Sequence, residues 1–586
     1  MPFNLLLLLV LSFSYLDIIQ LSNDVLSNIY LPLAFISQIS LMVFLIFLLT
    51  LPLLFLRKFG IFIIITIYTI LIFFLFLDTL VFQQYRFHIN AFVIELIING
   101  GGDIFNFSWI TWLKTIGFLI FVLSIEVIGS VILWRWTRIK HYWGYINTLF
   151  IILSILISQT IHAWSYVYSY TPVLKLTPVL PYYYPVISQE LVDYFNFPVY
   201  KSDNQKIKKY QGRLNYPKKP LQCVAKSKQN IVFIVVDTLR FDMLNAKTMP
   251  NTTAFAKQNI IFNNHLSGGH GTRTGIFALM TGIPSIYWDD FLQTKTSSVF
   301  IETLQKNNYK LNILASAKLT SPAFDKTIFA KVKNLRTHTK GNGSAEKDIQ
   351  ITKEFIDFID NRDKSKPFFT FLFYDAVHGY NTPKNFKKPF LPELSKIDYF
   401  KLNNSYDPTT LINRYKNSVY FVDGLIAKVI AKLKADDEYE NTIIVITADH
   451  GQEFNDNKLN YWGHSSNFSK YQLQIPMVLK MHNQTKIINR RTTSLDVVPT
   501  IMQEVLNCKN EISDYSLGFN LFDTKKRDFL ISGVKTHYGV ITDDLIVVDR
   551  NINVLLSYDL NYRPSNKKLP IDIYKKVVRD LSWFYH

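Results

Sequence analysis

The stretch NTIIVITADHGQEF, residues 441–454, runs from apolar β-branched residues into two metal-ligand side chains, Asp449 and His450. An apolar run of this kind predicts a buried strand, so the pair should lie at its carboxyl end, where open α/β sheets build their sites. A second such run lies in QNIVFIVVDTLRFD at 229–242, where Asp237 directly follows the apolar residues. Both strands would deliver a carboxylate to one edge of one sheet. We therefore expect the two segments to converge on one cation.

The first part of the chain predicts a membrane domain. With 586 residues the chain is too long for one ordinary domain, and its first part is dominated by Leu, Ile and Phe. Apolar stretches near the ~20 residues needed to cross a bilayer are placed at 1–21, 31–56, 60–84, 115–134 and 146–166. The first has no basic segment before it and no small-residue cleavage site, so we interpret it as a retained helix rather than a signal peptide. The sequence thus predicts a five-helix transmembrane domain over residues 1–166.

The orientation of these spans follows from their short loops. Arg57 and Lys58 lie between the second and third spans, and Arg135, Arg138 and Lys140 between the fourth and fifth. The loop after the first span carries no Lys or Arg, so the positive-inside rule places the basic loops in the cytoplasm. Everything after the fifth span is then expected on the far side of the membrane.

Residues 167–228 predict a juxtamembrane linker, rich in Tyr and Pro at first and basic afterwards. Its cations are expected to hold anionic lipid headgroups, at up to ~1 kcal/mol per charge near an anionic surface. They are Lys206, Lys208, Lys209, Arg213, Lys218 and Lys219. A solvated basic tether explains the same composition equally well.

The overall charge and the cysteines describe the chain more broadly. A net charge of +18 favours an anionic partner. For a chain with membrane spans that partner is expected to be lipid, and no motif of a nucleic-acid-binding fold is present. The two cysteines, Cys223 and Cys508, both follow the spans. They are compatible with a disulfide and with two buried thiols.

From residue 229 to residue 586 the pattern predicts an α/β/α domain, because short β-branched runs alternate with helical ones. Strands are predicted at 230–236, 259–263, 310–315, 367–374, 442–447 and 475–480. Helices are predicted at 250–258, 272–281, 348–361, 408–435 and 495–507. The sheet should be mainly parallel, and the more β-like stretch from 515 onward predicts a small antiparallel subdomain.

A glycine-rich segment, LSGGHGTRTGIFALMTG at 266–282, places Thr272 at the start of an apolar helical run. Thr is a preferred helix cap, which is one interpretation of this residue. The other is chemical: with Asp237, Asp449 and His450, its hydroxyl completes a shell for one divalent ion that would prepare it for attack. Zinc, manganese and magnesium all fit these ligand types.

Two further histidines are candidates for the substrate side of the site. His378 lies in FYDAVHGYNTP and His464 in YWGHSSNF. Either could hold a substrate oxygen or protonate a leaving group. Each is equally an isolated histidine with no chemical role.

These motifs together resemble the sulfatase-like branch of the alkaline phosphatase superfamily. The residues that carry the resemblance are NIVFIVVDTLRFDML, the glycine-flanked Thr272, ADHG at 448–451, GHS at 463–465 and SLDVVPT at 494–500. The general layout is similar to the phosphoethanolamine transferases and lipoteichoic acid synthases. The resemblance to the YejM/PbgA type of Gram-negative inner-membrane protein extends over nearly the whole chain.

The resemblance implies roles for individual residues. Asp237, Asp449 and His450 would be metal ligands, Thr272 a ligand and the nucleophile, and His378 and His464 substrate-binding residues. It also implies a multi-pass protein of the inner membrane whose C-terminal domain lies in the periplasm. The segment GTRTG has no Cys or Ser in a C/S-x-P-x-R context, so a formylglycine sulfatase is not expected.

Two functions therefore remain open at this point. The first is a metal-dependent phosphoryl or phosphodiester hydrolase or transferase within envelope lipid homeostasis. The second is a non-catalytic regulator that binds lipopolysaccharide or cardiolipin where the membrane meets the periplasm. Membrane lipids are expected partners in both cases, and a regulatory protein of the inner membrane is a further expected partner.

Overall fold

The N-terminal part of the chain forms apolar helices, as predicted. The structure, a computed structural model, describes residues 2–18, 24–90, 93–94, 109–135, 141–186, 212–552 and 554–586. The first helices are α1 (Pro2–Ser12), α2 (Val25–Thr50), α3 (Arg57–Tyr85), α4 (Trp109–Arg135), α5 (His141–Val167) and the short α6 (Thr171–Leu174). Each of the five predicted spans falls on one of α1 to α5. Arg138 and Lys140, on which the predicted orientation partly rests, lie outside the described residues.

Three helical segments within the described residues are long and apolar enough to cross a membrane: Val25–Tyr85, Trp109–Ile132 and Thr148–Val167. A shorter apolar helix covers Phe3–Leu16. The first of the long segments is two helices, because the backbone reverses at Arg57, where φ is 52°. The Tyr68 hydroxyl in α3 donates to the Val43 carbonyl in α2 at 3.3 Å, so α3 runs back along α2.

The second half of the chain is built on a seven-stranded sheet. Its strands are β1 (Asn230–Val236), β2 (Ile260–Phe262), β4 (Lys310–Ala315), β5 (Phe368–Tyr374), β6 (Thr442–Ala448), β9 (Met477–Lys480) and β10 (Lys486–Ile488). Across the sheet they lie in the order β10-β2-β9-β6-β1-β5-β4. Strand β9 is antiparallel to β2 and β6, and the other pairs are parallel. The predicted mainly parallel sheet is confirmed, with one antiparallel strand added.

Helices cover both faces of this sheet. They are α7 (Pro250–Ala256), α8 (Thr272–Thr281), α9 (Trp288–Thr294), α10 (Val299–Lys306), α11 (Ser344–Asn361), α12 (Thr409–Ala435), α13 (Lys470–Leu473), α14 (Val497–Glu504) and α15 (Ile571–Ser582). Every residue of β1 is buried because alternate side chains enter opposite cores. Phe233 packs in the core with α8 and α10, and Ile234 in the core with α11 and α12. Burying each such side chain stabilises the fold by roughly 1.5–3 kcal/mol.

Smaller sheets complete the domain. Strands β3 (His265–Leu266) and β11 (Thr492–Thr493) pair, as do β7 (Glu453–Phe454) and β8 (Trp462–Gly463). The C-terminal antiparallel sheet comprises β12 (Leu530–Val534), β13 (His537–Ile541), β14 (Ile546–Asp549) and β15 (Leu555–Tyr558). The predicted β-rich C-terminal part is therefore confirmed, and α15 follows it.

The described part of the basic linker is fastened to the α/β domain. The Asn215 N–H donates to the Phe584 carbonyl at 2.8 Å. Cys223 and Cys508 form a disulfide between the linker and the segment after α14, which decides the question that the sequence left open. Residues 212–228 thus pack on the domain that follows them.

Replacing Cys223 and Cys508 together by Ser is expected to lower the free energy of unfolding by ~2–5 kcal/mol, the usual range for a native disulfide. The bond closes a loop of 285 residues, so its loss frees much conformational entropy in the unfolded chain. Thermal unfolding of the purified full chain, with and without reductant, measures the effect. Equal midpoints for the wild type and the double variant would show that the bond does not stabilise the domain.

Candidate metal centre

The sheet register places two carboxylates side by side. Strands β1 and β6 are parallel neighbours, and Val236 pairs with Ala448. Asp237 and Asp449 are the next residues on the two strands, so they leave the sheet at the same level. The predicted convergence of these two segments is confirmed.

His450 completes the group. Its Nε2 lies 3.5 Å from Asp237 Oδ1 and 3.4 Å from Asp449 Oδ2. Its Nδ1 lies 2.8 Å from the Gly451 carbonyl oxygen, which can only accept, so Nδ1 carries the hydrogen. The Nε2 of the neutral ring therefore presents a lone pair to the two carboxylates. Such a second hydrogen bond is the usual way in which a protein orients a metal-binding histidine.

The three side chains fit a cation. All are buried, and one ligand atom from each lies within 4.8 Å of the others. Asp237 Oδ1 and Asp449 Oδ2 are buried without a hydrogen-bond donor in the described part of the chain. Buried carboxylate oxygens and a nitrogen lone pair that face one another repel unless a proton or a cation lies between them. Two carboxylates and an imidazole suit zinc, manganese or magnesium.

The same arrangement shifts the pKa values in opposite directions. Burial raises the pKa of Asp449 to about 7. Burial and the neighbouring Asp449 carboxylate raise the pKa of Asp237 well above its ordinary value. Burial lowers the pKa of His450 to about 4, so its ring is neutral at physiological pH. Without a cation the carboxyl groups hold protons near neutrality, whereas a bound cation would displace them.

Metal affinity should consequently rise with pH. Since the shifted pKa values favour protonated Asp237 and Asp449, we expect affinity for Zn²⁺ to fall roughly 10-fold per pH unit below about pH 7 for each proton displaced. His450 does not compete, because it is already neutral above about pH 4. Calorimetric titration in two buffers of different ionisation enthalpy measures the proton release. Affinity that is independent of pH would contradict the prediction.

Thr272 lies beside this group as the first residue of α8. Gly271 is the N-cap, so the structure does not place Thr272 in the capping position. Its Oγ1 is 3.4 Å from Asp237 Oδ2 and 3.3 Å from His450 Nε2. The helix reaches this position because a Cβ on Gly275 would be 2.1 Å from the Asp449 carbonyl oxygen, so only glycine allows α8 to pack on the end of β6.

Both candidate histidines lie next to the metal-ligand group. The ring centroid of His464 is 4.4 Å from that of His450 and 5.3 Å from that of His378. The Gln452 amide oxygen, 2.8 Å from His464 Nδ1, can only accept, so Nδ1 carries the hydrogen and Nε2 is left with a lone pair. Burial lowers the pKa of His378 to about 4 and that of His464 well below its ordinary value. Both rings are neutral at physiological pH, and His464 is better suited to accept a proton than to donate one.

Asp375 was missed by the sequence analysis. It follows β5, whose Tyr374 pairs with Val236, so it leaves the sheet at the same level as Asp237. Its Oδ1 is 3.7 Å from His378 Nδ1, and its charge contributes to the raised pKa of Asp237. The segment FFTFLFYD, an apolar run that ends in Asp, has the pattern of the two strands that were recognised.

Comparisons with known proteins match both halves of the chain. Residues 229–505 match the Sulfatase family model, and residues 1–223 match a domain of unknown function, DUF3413. The inner membrane protein YejM of Salmonella typhimurium is 25% identical, with 95% of this chain and 91% of that protein covered. Over nearly its whole length the chain is similar to YejM, and its second half is similar to the Sulfatase family model. An uncharacterised protein of Haemophilus influenzae is also 25% identical, over 100% of this chain and 94% of its own length.

Two solved structures are similar to part of this chain. A protein of the alkaline phosphatase superfamily from Vibrio parahaemolyticus has a TM-score of 0.45 at 15% identity, covering 65% of this chain and 91% of its own. The phosphonate monoester hydrolase of Agrobacterium radiobacter has a TM-score of 0.43 at 14% identity, covering 57% and 89%.

The predicted lipid-binding cations lie away from this centre or outside the described residues. Lys206, Lys208 and Lys209 are among the residues that the structure does not describe. The Arg213 carbonyl accepts from the His586 N–H at 3.1 Å. Lys218 Nζ lies 3.9 Å from the centroid of the Trp583 ring, and Lys219 Nζ lies 3.1 Å from Asp514 Oδ1. Lipid binding by these residues stays a prediction.

Proposed function

We propose that the sulfatase-like domain is a metal-dependent hydrolase or transferase of phosphoric esters that acts on a lipid headgroup. The observation that carries this proposal is the position of Thr272. Its hydroxyl lies within hydrogen-bond distance of both Asp237 and His450, in a group of candidate ligands that includes two buried oxygens without a hydrogen-bond donor among the described residues. A nucleophile next to a metal site is the arrangement that phosphoryl transfer requires, since its catalysis is mainly positioning and charge neutralisation.

Each residue has a role in this proposal. Asp237, Asp449 and His450 would hold one divalent ion, which when bound would supply positive charge to the phosphoryl oxygens and lower the pKa of the Thr272 hydroxyl. Thr272 Oγ1 forms a bond to phosphorus while the ester P–O bond breaks; Asp237 Oδ2 accepts the hydroxyl proton and the leaving oxygen takes one from solvent. In the second step His464 Nε2 accepts a proton from the incoming water or alcohol, whose oxygen forms a bond to phosphorus while the P–Oγ1 bond breaks. Thr272 Oγ1 takes back the proton that Asp237 Oδ2 accepted.

Sulfate-ester hydrolysis through formylglycine is not part of this proposal. A formylglycine is generated from Cys or Ser, whereas the residue beside the ligands is Thr272. Thr carries a β-methyl group, so its oxidation gives a ketone and not the aldehyde. The match to the Sulfatase family model thus describes the fold of this domain, and its chemistry follows from the residue present.

We place the domain in the periplasm, next to the inner membrane. Three observations support this location: the apolar N-terminal helices, the disulfide, which suits an oxidising compartment, and homology to proteins named inner membrane protein YejM. The substrate would then be a headgroup phosphate of lipopolysaccharide, cardiolipin or another phospholipid.

The test uses the purified full chain in lipid nanodiscs, loaded with Zn²⁺, Mn²⁺ or Mg²⁺. Substrates are bis(p-nitrophenyl) phosphate and, separately, vesicles that contain cardiolipin or lipopolysaccharide. We expect release of nitrophenol and of a phosphorylated headgroup product. Protein that binds one metal ion per chain but turns over none of these substrates would contradict the proposal.

A lipid-sensing regulator is the second proposal. Lys219 favours it, because 67% of its side chain remains exposed although it pairs with Asp514, so its ammonium group is accessible to a headgroup. Complementation of a strain that lacks the protein distinguishes the two functions. If a Thr272→Ala/Asp449→Ala variant restores envelope function and Lys→Glu changes at 206–219 do not, the regulator is correct. A regulatory inner-membrane partner remains part of this second proposal.

A further inference from the structure

The carboxyl end of α3, an N-terminal apolar helix, lies directly on the hairpin that carries His464. Arg86 Nη2 donates to the Leu459 carbonyl at 3.0 Å and to the Asn460 carbonyl at 3.5 Å. Asn460 Nδ2 donates in return to the Gln83 carbonyl at 3.5 Å. The guanidinium of Arg86 also lies over the Tyr461 ring, 5.1 Å from its centroid. These contacts join the helix to residues that immediately precede β8.

The same helix end also contacts β8 through Tyr85 and Gly463. A Cβ on Gly463 would lie 2.9 Å from Tyr85 Cε1, so the ring packs on the glycine backbone. Gly463 has φ +94°, a conformation that L side chains rarely adopt. The next residue is His464. The orientation of the His464 ring therefore depends on the backbone conformation at Gly463, on which the Tyr85 ring packs.

A second chain of contacts connects the same helix to His464. Gln84 Nε2 donates to the Tyr399 carbonyl at 2.7 Å. Burial raises the pKa of the nearby Tyr380, and the Tyr399 and Tyr85 phenols add to this shift. Tyr380 accepts a hydrogen bond from Gln452 Nε2, and the Oε1 of the same amide accepts from His464 Nδ1.

We propose that Tyr85 and Arg86 are positioning residues for His464, so that the N-terminal helices set the geometry of the substrate side of the metal centre. The helix end fixes β8 through Gly463, and the Tyr380–Gln452 contact fixes the Nδ1–H of His464. Nε2 of His464 is thereby directed by two connections that both begin on α3. The expected effect on catalysis rests on the proposed phosphoric-ester chemistry. The packing of α3 on the hairpin of His464 does not depend on that chemistry.

The experiment compares Tyr85→Ala with the wild-type full chain in nanodiscs loaded with Zn²⁺. Loss of the ring leaves Gly463 uncovered, so amide hydrogen exchange over residues 459–465 should become at least ~10-fold faster. The kcat for bis(p-nitrophenyl) phosphate should fall ~10–100-fold, the effect of a displaced catalytic group, with unchanged zinc stoichiometry. Tyr85→Phe keeps the ring and should behave like the wild type in both measurements.

A matched control removes an equal ring elsewhere on these helices. Tyr145 is 77% exposed, and Tyr145→Ala should change neither exchange over 459–465 nor kcat. The proposal is overturned if Tyr85→Ala leaves exchange in the hairpin unchanged, or if exchange accelerates while the kcat of an active protein does not fall. If the wild type has no turnover, the proposed function fails, and hydrogen exchange alone still decides whether α3 holds the hairpin.

Discussion

Thr272→Ala is expected to lower kcat for phosphodiester cleavage at least ~10³-fold, which is a conservative value for loss of a nucleophile. The substitution removes the oxygen that lies 3.3 Å from His450 Nε2 and leaves all three proposed protein ligands in place. Zinc stoichiometry should therefore stay near that of the wild type. Steady-state kinetics with bis(p-nitrophenyl) phosphate and metal analysis of the same preparation measure both quantities.

Thr274→Ala is the matched control for this variant. Thr274 is a buried threonine of the same helix, and its hydroxyl donates to the Gly271 carbonyl at 2.8 Å instead of entering the site. Its loss should cost about 1 kcal/mol of stability with kcat within about 3-fold of the wild type. Thr272→Ser keeps the hydroxyl and should retain measurable turnover. Full activity of Thr272→Ala would show that Thr272 is not the nucleophile. A hydroxide ion would then be the nucleophile to test.

Asp449→Asn is expected to weaken Zn²⁺ binding by more than the ~10–100-fold that outer-shell changes cause, because it removes a negative charge from the ligand group itself. Asp449 Oδ2 faces His450 Nε2 at 3.4 Å, while Oδ1 accepts from the Thr238 N–H at 3.1 Å and the His450 N–H at 2.8 Å. The amide keeps the size of the side chain. Competition titration with a zinc chelator measures the change.

A buried carboxylate outside the site provides the control. Asp423 is fully buried and accepts from the Asn251 N–H at 2.9 Å and the Thr252 N–H at 2.8 Å, at the start of α7. Asp423→Asn should lower stability while its Zn²⁺ affinity stays within about 3-fold of the wild type. Equal loss of affinity in Asp449→Asn and Asp423→Asn would show that the effect is general destabilisation and would contradict a metal site at Asp449.

Most of the ligand group could be predicted from the sequence because strand ends are local features. Asp237 and Asp449 each follow a run of buried β-branched residues, and the parallel sheet brings such ends to one edge. Asp375 follows the same pattern and was missed. The apolar run before it is rich in Phe instead of β-branched residues, and the segment drew attention only through His378. Any acidic residue that directly follows a predicted strand of a parallel sheet should therefore be treated as a candidate site residue, whether the strand is rich in Phe or in β-branched residues.

The substrate side of the site could not be predicted in the same way. No local pattern indicated that Gln452 directs the hydrogen of His464, since that contact depends on how one loop folds across another. Nor did it indicate that Tyr85 lies on Gly463, because these residues are separated by most of the chain. The contacts of Lys218 with Trp583 and of Lys219 with Asp514 were likewise not indicated by the sequence, and lipid binding by these residues remains a prediction.

By itself, the sequence determined the apolar N-terminal helices, the α/β architecture and the identity of the metal-ligand candidates. These depend on hydrophobic periodicity and on side chains at strand ends, which are local properties of the chain. Only the tertiary structure decided the register that aligns Asp237 with Asp449, the disulfide and the contact of α3 with the hairpin of His464. Those features join residues far apart in sequence, and such pairings are selected by the packing of the whole fold rather than by any segment alone.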